Sequence, residues 1–363
     1  EPNTTPRTVS ISMDDGAGGN SAVSEVTLNV LAVNDAPVVN LSASNPTYTE
    51  NTSAVQLFSG ATVNTVESGQ KVIQMTFSVS GVANGAAEKL VIDGSDVTLI
   101  NGTSLTTSNN SVTVTVSVTS GTANVTLSSG AGLDVATVQT ILNTMAYRND
   151  SESPNTANRV VTLNTLSDNG GTDNGGIPTI AVGVASTVTV VGINDAPVLA
   201  GGPYSLPSIN EDTTSSGTLI STLLTNYTMV DPDVGALRGI AVITKSGNGI
   251  WQYSTDNANW TDFGAVSSTS ALLLASTTYI RYVPDGANGE TASLTFRGWD
   301  QTTGMASVNG IRGTADTSSN GGTTAFSIVT AVTNQPVTSV NDAPVMVATL
   351  PTLTGLNDTS TNN

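Results

Sequence analysis

The chain contains no cysteine and no histidine. The first absence removes disulfides, thiolate nucleophiles and sulfur ligands. The second removes the side chain most used as a general base near neutral pH and as a ligand for transition metals. Basic residues are also scarce. Ten Lys and Arg stand against 28 Asp and Glu in 363 residues, for a formal net charge of −18. The ten are scattered, so no groove for a polyanion or anionic lipid can form, and nucleic acid is excluded as a partner. Long apolar runs are missing too. Stretches such as Ala271–Ala275 fall far short of the ~18 residues of a spanning helix, so no membrane span is expected. The chain opens at Glu1 without a leader, and an export signal is expected outside this segment. The remaining metal ligands are oxygens of Asp, Glu, Asn and the backbone, which suit a hard cation such as Ca2+.

What is present is a repeat. Val33-Asn34-Asp35-Ala36-Pro37-Val38 recurs as Ile193-Asn194-Asp195-Ala196-Pro197-Val198 and as Val340-Asn341-Asp342-Ala343-Pro344-Val345. The intervals are the size of domains rather than of solenoid turns. The phrase therefore marks junctions between domains. Residues 1–35 read as the C-terminal part of one repeat, because Arg7-Thr8-Val9 followed by Asp14-Asp15-Gly16 parallels Arg159-Val160-Val161 followed by Asp168-Asn169-Gly170. Residues 36–195 and 196–342 read as two full domains. Residues 343–363 read as the start of another, since Leu356-Asn357-Asp358-Thr359 parallels Ile209-Asn210-Glu211-Asp212-Thr213.

Period-two alternation dominates. Ser111 to Val118 alternates hydroxyl and apolar side chains without a slip, the pattern of a half-buried antiparallel strand. Glu25–Val30, Asn124–Leu127 and Thr187–Val191 repeat it, with Gly, Asn, Asp and Ser clusters between. The fold class expected is all-β, a tandem of antiparallel sandwiches. The exception is residues 134–146, where Leu133, Val138, Ile141, Leu142 and Met145 follow helical spacing and Asp134 can cap. That segment predicts one short helix in the first full domain. Trp251–Phe263 predicts a hairpin around Asp256-Asn257-Ala258-Asn259. Its Trp251 and Trp260 read either as core and hairpin residues or as a platform for stacking sugars.

In the repeated phrase the proline ends ladder pairing and leaves the Asn and Asp oxygens at a domain edge. A calcium ion takes six to eight oxygens, so other acidic residues must contribute. Those available are Glu50 and Glu67 after the first junction, Glu211, Asp212, Asp231 and Asp233 after the second, and Asp358 after the third. The alternative reading of Asn-Asp-Ala-Pro is a turn in which Asp caps its own backbone. The loops at Asp14-Asp15-Gly16 and Asp168-Asn169-Gly170 read either as hairpin turns or as further ion sites.

On these residues the chain resembles the cadherin-like and VCBS-type tandem repeat domains of giant bacterial surface adhesins of the RTX type. The Asn-Asp-Ala-Pro phrase is similar to the cadherin linker, in which Asp-Asn-Asp precedes a proline. The resemblance implies that a glutamate early in a domain, the linker Asn-Asp and a downstream Asp-x-Asp share calcium between consecutive domains. It carries to Asn194 and Asp195, to Glu211 or Asp212, and to Asp231 and Asp233. It carries less completely to Asn34, Asp35 and Glu50, and to Asn341, Asp342 and Asp358. Ala32, Gly192 and Ser339 stand where the cadherin linker has its first acidic residue, which implies fewer ions per junction.

The function expected is a non-enzymatic stalk or spacer in a secreted bacterial adhesin at the cell surface, rigidified by inter-domain calcium. Its partners are the neighbouring repeats of the same chain. Two alternatives stay open: self-association into an extracellular fibre or sheath through Thr- and Val-rich strand edges, and binding of host or surface glycans through Trp251 and Trp260.

Overall fold

The alternating Thr and Val residues become sheet. In the strand Thr113–Thr119, Val114 and Val116 are buried while the intervening threonines face solvent, as a period of two requires. Ser111 is left outside the strand by its left-handed backbone, φ 53°. Ser120 and Gly121 both have positive φ and join Thr113–Thr119 to Thr122–Leu133 with Thr119 opposite Thr122. That is the two-residue hairpin loop whose twist matches the strands it connects.

The computed structural model describes residues 2–344 and Met346. It divides into two compact units between Ile193 and Asn194. In the first, a seven-stranded sheet runs in the order Ser104–Thr106, Thr113–Thr119, Thr122–Leu133, Val72–Ser80, Arg159–Asp168, Thr179–Val191 and Thr47–Thr49. A four-stranded sheet of Val55–Gln56, Ala146–Asn149, Glu88–Ile92 and Ser95–Thr98 accompanies it. Phe77, Val125 and Leu163 of the larger sheet and Leu90, Ile92 and Tyr147 of the smaller belong to one buried cluster, so the unit is a β-sandwich. A helix, Val135–Thr144, buries Val138, Ile141 and Leu142. Asp134 precedes it without a side-chain capping bond and pairs with Lys71 at 3.5 Å. Upstream, Arg7–Ile11 and Ser24–Leu28 form an antiparallel hairpin that is exposed throughout.

The second unit repeats this plan with shorter strands. Phe326–Thr338 pairs with Glu290–Trp299, which pairs with Gly239–Ser246, then Ala271–Ala275 and Thr314–Ala315. The smaller sheet holds Thr218–Leu219, Tyr279–Val283, Ile250–Ser254 and Thr261–Asp262. The expected hairpin is present, with Gln252 opposite Asp262. A helix that periodicity does not announce, Ile220–Leu224, buries Ile220, Leu223 and Leu224. Five residues are too few to show a period of 3.6.

One pairing fixes where the chain enters and leaves each unit. Val38–Ala43 pairs antiparallel with Phe58–Asn64, and Val198–Ala200 with Thr228–Val230; the strands next in the chain run parallel to the last of their unit, Thr47–Thr49 along Thr189–Val191 and Tyr204–Ser205 and Ile209–Asn210 along Phe326–Thr338. The ends of these strands therefore meet at the exit of the unit. The residues before the first strand start from the other end. The Asn34 carbonyl accepts from Ile177 N at 2.9 Å, just before Thr179–Val191 begins. In the second unit Ala196 N donates to Gly322 O at 2.7 Å, just before Phe326–Thr338. Each last strand has 13 residues, so entry and exit poles stand roughly 40 Å apart at about 3.3 Å per residue.

One ion pair is fully buried. Arg159 and Glu88 are both 0% exposed, with Nη2 to Oε1 at 2.7 Å and Nε to Oε2 at 3.1 Å. Ala83 N and Asn84 N also donate to Glu88 Oε1, at 2.9 and 2.8 Å. Removing one partner strands the other charge in the core, at a cost of about 3–5 kcal/mol. In urea, Glu88→Ala is expected to destabilise the first unit by about that amount and to leave the unfolding transition of the second unit in place.

Candidate functional site

The junction prolines Pro37 and Pro197 are buried, and the strands that follow begin at Val38 and Val198. Asn and Asp are thereby presented at the entry pole of the sandwich they precede. In the second unit Asn194 Nδ2 donates to Asp300 Oδ2 at 2.9 Å and to Thr324 O at 3.2 Å. Asp195 N donates to Asp233 Oδ2 at 2.8 Å. Asp233 N in turn donates to Asp231 Oδ1 at 2.9 Å. Asp300 is 2% exposed, and its Oδ1 accepts from Thr302 N and Oγ1 at 2.8 and 2.6 Å. Asp300 thus meets the linker asparagine directly, while Asp233 and, behind it, Asp231 are reached through the Asp195 amide.

No Lys or Arg forms an ion pair with Asp231, Asp233 or Asp300 among the described residues; the five ion pairs found all lie in the first unit. Asp231 Oδ2 is buried and accepts no hydrogen bond. Burial pushes the Asp231 carboxyl above its ordinary value, and the charges of Asp300, Asp233 and Asp195 push the same way. The hydrogen bond from Asp233 N opposes them. The electrostatics are those of a site that lacks positive charge.

The entry pole of the first unit is built the same way. Asn34 Nδ2 donates to Asp168 Oδ1 at 3.1 Å, and Asp35 N donates to Glu67 Oε1 at 3.0 Å. Asp168 is 1% exposed, and its Oδ2 is buried without a hydrogen bond. Glycine is required here. A Cβ on Gly170 would stand 1.8 Å from Asn34 Oδ1, and one on Gly176 would stand 2.9 Å from Asn34 Cβ. The string Asp168-Asn169-Gly170 is therefore more than a hairpin turn: it carries a junction carboxylate and makes room for the linker. The loop at Asp14 and Asp15, by contrast, bonds to its own backbone. Gly16 N donates to Asp14 Oδ1 and Ala17 N to Asp15 Oδ1, and such amide bonds hold the Asp15 carboxyl below its ordinary value.

The glutamates expected to join the linker that precedes them sit elsewhere. Glu50 and Glu211, each 2% exposed, lie at the exit poles. Glu50 Oε2 accepts from Ile193 N at 2.9 Å, and Glu211 Oε1 accepts from Val340 N at 2.5 Å. The reason is the parallel pairing described above, which places the end of an early strand beside the end of the last. Grouping Glu50 with Asn34 and Asp35, or Glu211 with Asn194 and Asp195, is therefore corrected: each glutamate serves the exit of its own unit. Glu152 brings a second carboxylate oxygen within 4.8 Å of Glu50. Asp212 faces solvent, so Glu211 takes the buried position of the two. Asn341 and Asp342 are exposed, with Asn341 Nδ2 3.5 Å from Asp342 O. Asp358 lies outside the described residues.

Trp251 is 1% exposed and packs on Phe263 and Tyr282, while its indole N–H donates to Ser246 O at 3.1 Å. A buried indole cannot stack a sugar, so Trp251 is corrected to a core residue. The ring of Trp260 is half-buried and carries the Arg281 guanidinium 4.1 Å from its centroid. Asp168, Asp300 and Glu152 were not expected at the poles. A signal for the first was available in the parallel between Asp14-Asp15-Gly16 and Asp168-Asn169-Gly170, which marks an acidic residue at the end of the penultimate strand.

No protein-family model and no curated protein matches the chain. Solved structures that align with it include an endo-fucoidan hydrolase of glycoside hydrolase family 107, at 12% identity and TM-score 0.22 over 93% of this chain and 34% of that one. A variant of the same hydrolase aligns at 13% identity and TM-score 0.23, over 93% and 35%. Drosophila N-cadherin EC1-3 aligns at 10% identity and TM-score 0.20, over 88% and 73%. The chain spans about a third of the length of the hydrolase. Likeness of this degree decides neither fold nor activity.

The Asp231 carboxyl yields a pH dependence. Its pKa is raised in the folded chain, so the folded state holds a proton that the unfolded state has released. Stability then falls as pH climbs from the ordinary 3.8 through the raised value, and stays lower above it. In chelator at neutral pH, Asp231→Asn is expected to raise the urea midpoint of the second unit, by no more than about 1 kcal/mol for a partly solvated group. In millimolar calcium the sign is expected to reverse.

Proposed function

We propose that this chain is a structural segment of an extracellular array of cadherin-like sandwiches, stiffened by calcium and acting as a stalk or spacer without catalytic activity. The observation that carries the proposal is the run of carboxylates at the linker: Asp300 on the Asn194 amide, Asp233 on the Asp195 amide, and Asp231 behind Asp233. Asp231 is partly desolvated and feels the negative charges of Asp300, Asp233 and Asp195. Unless a cation binds, this arrangement costs stability.

Chain direction supports the same role. Each sandwich is entered at one pole and left at the other, as an end-to-end array requires. The linker phrase Asn-Asp-Ala-Pro is short, and its proline limits backbone freedom. Calcium held by Asp195, Asp231, Asp233 and Asp300, with Asn194 Oδ1 as a neutral donor, ties the linker to the unit that follows. Extracellular modules of this type bind calcium at about 10⁻⁴ to 10⁻³ M. The sites then fill outside the cell and stay largely empty in a cytosol. No helix among the described residues is long and apolar enough to cross a membrane.

Small-angle scattering of the whole chain tests the reading. Adding millimolar calcium to chelator-treated protein is expected to lengthen the maximum dimension and narrow the distance distribution. An unchanged profile, with calcium shown to be bound, would remove the stiffening role.

A further inference from the structure

The two entry poles follow one plan but are not equivalent, and the difference lies in named side chains. In both, the linker Asp N–H is received by a carboxylate, Glu67 in the first unit and Asp233 in the second. In both, the linker Asn amide is received by a buried Asp at the end of a strand that pairs with the last one, Asp168 of Arg159–Asp168 or Asp300 just after Glu290–Trp299. Two residues before Asp233 stands Asp231, whose buried Oδ2 accepts no hydrogen bond. Two residues before Glu67 stands Thr65, which is 5% exposed and turns its hydroxyl onto the Glu67 and Gln70 carbonyls, at 3.4 and 3.5 Å. The first pole therefore has a threonine hydroxyl where the second has the Asp231 carboxylate; Glu67 and Asp168 are its buried or bonded carboxylates, and Asp35 is exposed beside them.

A second difference acts in the same direction. Asn34 Oδ1, a neutral oxygen that a cation would use, receives the Gln70 side-chain amide at 3.1 Å, and the same nitrogen donates to Glu67 Oε2 and Thr65 O at 3.2 and 3.1 Å. A ligand has to displace that bond. Asn194 has no amide partner of this kind among the described residues; its Nδ2 bonds to Asp300, Thr324 O and Asp195 O. The first pole still points to a cation rather than to a finished hydrogen-bond network, because Asp168 Oδ2 is buried at a residue 1% exposed and accepts nothing.

We infer that the two poles bind calcium in separate ranges of concentration, the second unit first and the first unit at least tenfold more weakly, with the residue pair Asp231 and Thr65 setting the gap. Ligand charge count is the main control on calcium affinity in oxygen sites, and here it differs by one carboxylate. Rising calcium then locks the junction at Asn194 and Asp195 while the one at Asn34 and Asp35 stays loose, so the segment stiffens in steps. This inference rests on the calcium reading above.

Isothermal titration of the whole chain with calcium, after stripping by chelator, separates the two. The expected result is two classes of heat with affinities at least tenfold apart. Asp231→Thr is expected to weaken the tighter class to the level of the other, and Thr65→Asp to strengthen the weaker class. Circular dichroism of each variant without calcium establishes that it has folded. Should Thr65→Asp fail to fold, Asp231→Thr alone decides. A single class that Asp231→Thr leaves unchanged would overturn the ranking and leave calcium binding standing. No heat at all would overturn the calcium reading itself, and the ranking with it.

Discussion

The parallel pairing of an early strand with the last one is the constraint on which the rest depends. Thr47–Thr49 can lie along Thr189–Val191 in parallel only if the chain crosses the sandwich before that last strand begins. Everything at the poles follows. Asn34 and Asn194 are delivered to the end where the last strand starts, and Glu50 and Glu211 to the end where it stops. An antiparallel closing pair would have brought each glutamate back to its own entry linker.

The tandem plan was legible because its marks are local. Asn-Asp-Ala-Pro occurs three times, and alternation in segments such as Val112 to Val118 reports one buried face directly. The helix at Val135–Thr144 was legible because ten residues show their period. The makeup of the poles was only half legible. Asp231-Pro232-Asp233 can be recognised as a chelating pair from its spacing alone. Asp168 and Asp300 lie 134 and 106 residues from the asparagines they meet, and only sheet topology joins them. The glutamates stand out in the sequence but not as residents of the opposite pole, because the direction of an edge strand leaves no trace in composition.

The core explains why the aromatic residues give no second function at Trp251. With aromatics at 4% of the chain, few large side chains are available to fill two sandwiches, and Trp251, Tyr253, Phe263 and Tyr282 are drawn into one buried cluster. The first sandwich spends a buried Arg159–Glu88 pair in a comparable place. There the neighbouring amides of Ala83 and Asn84 satisfy the carboxylate, so the pair tolerates burial without a ligand. The entry poles differ in this respect: the Asp168 Oδ2 and Asp231 Oδ2 atoms are buried and accept no hydrogen bond.

These unbonded oxygens carry the central claim, and a crystal structure of the chain grown in millimolar calcium tests it most directly. The account predicts an ion among Asp195, Asp231, Asp233 and Asp300, with six to eight oxygens at about 2.3–2.6 Å. Ordered water in that place, with the Asn194 and Asp195 hydrogen bonds unchanged, would contradict it.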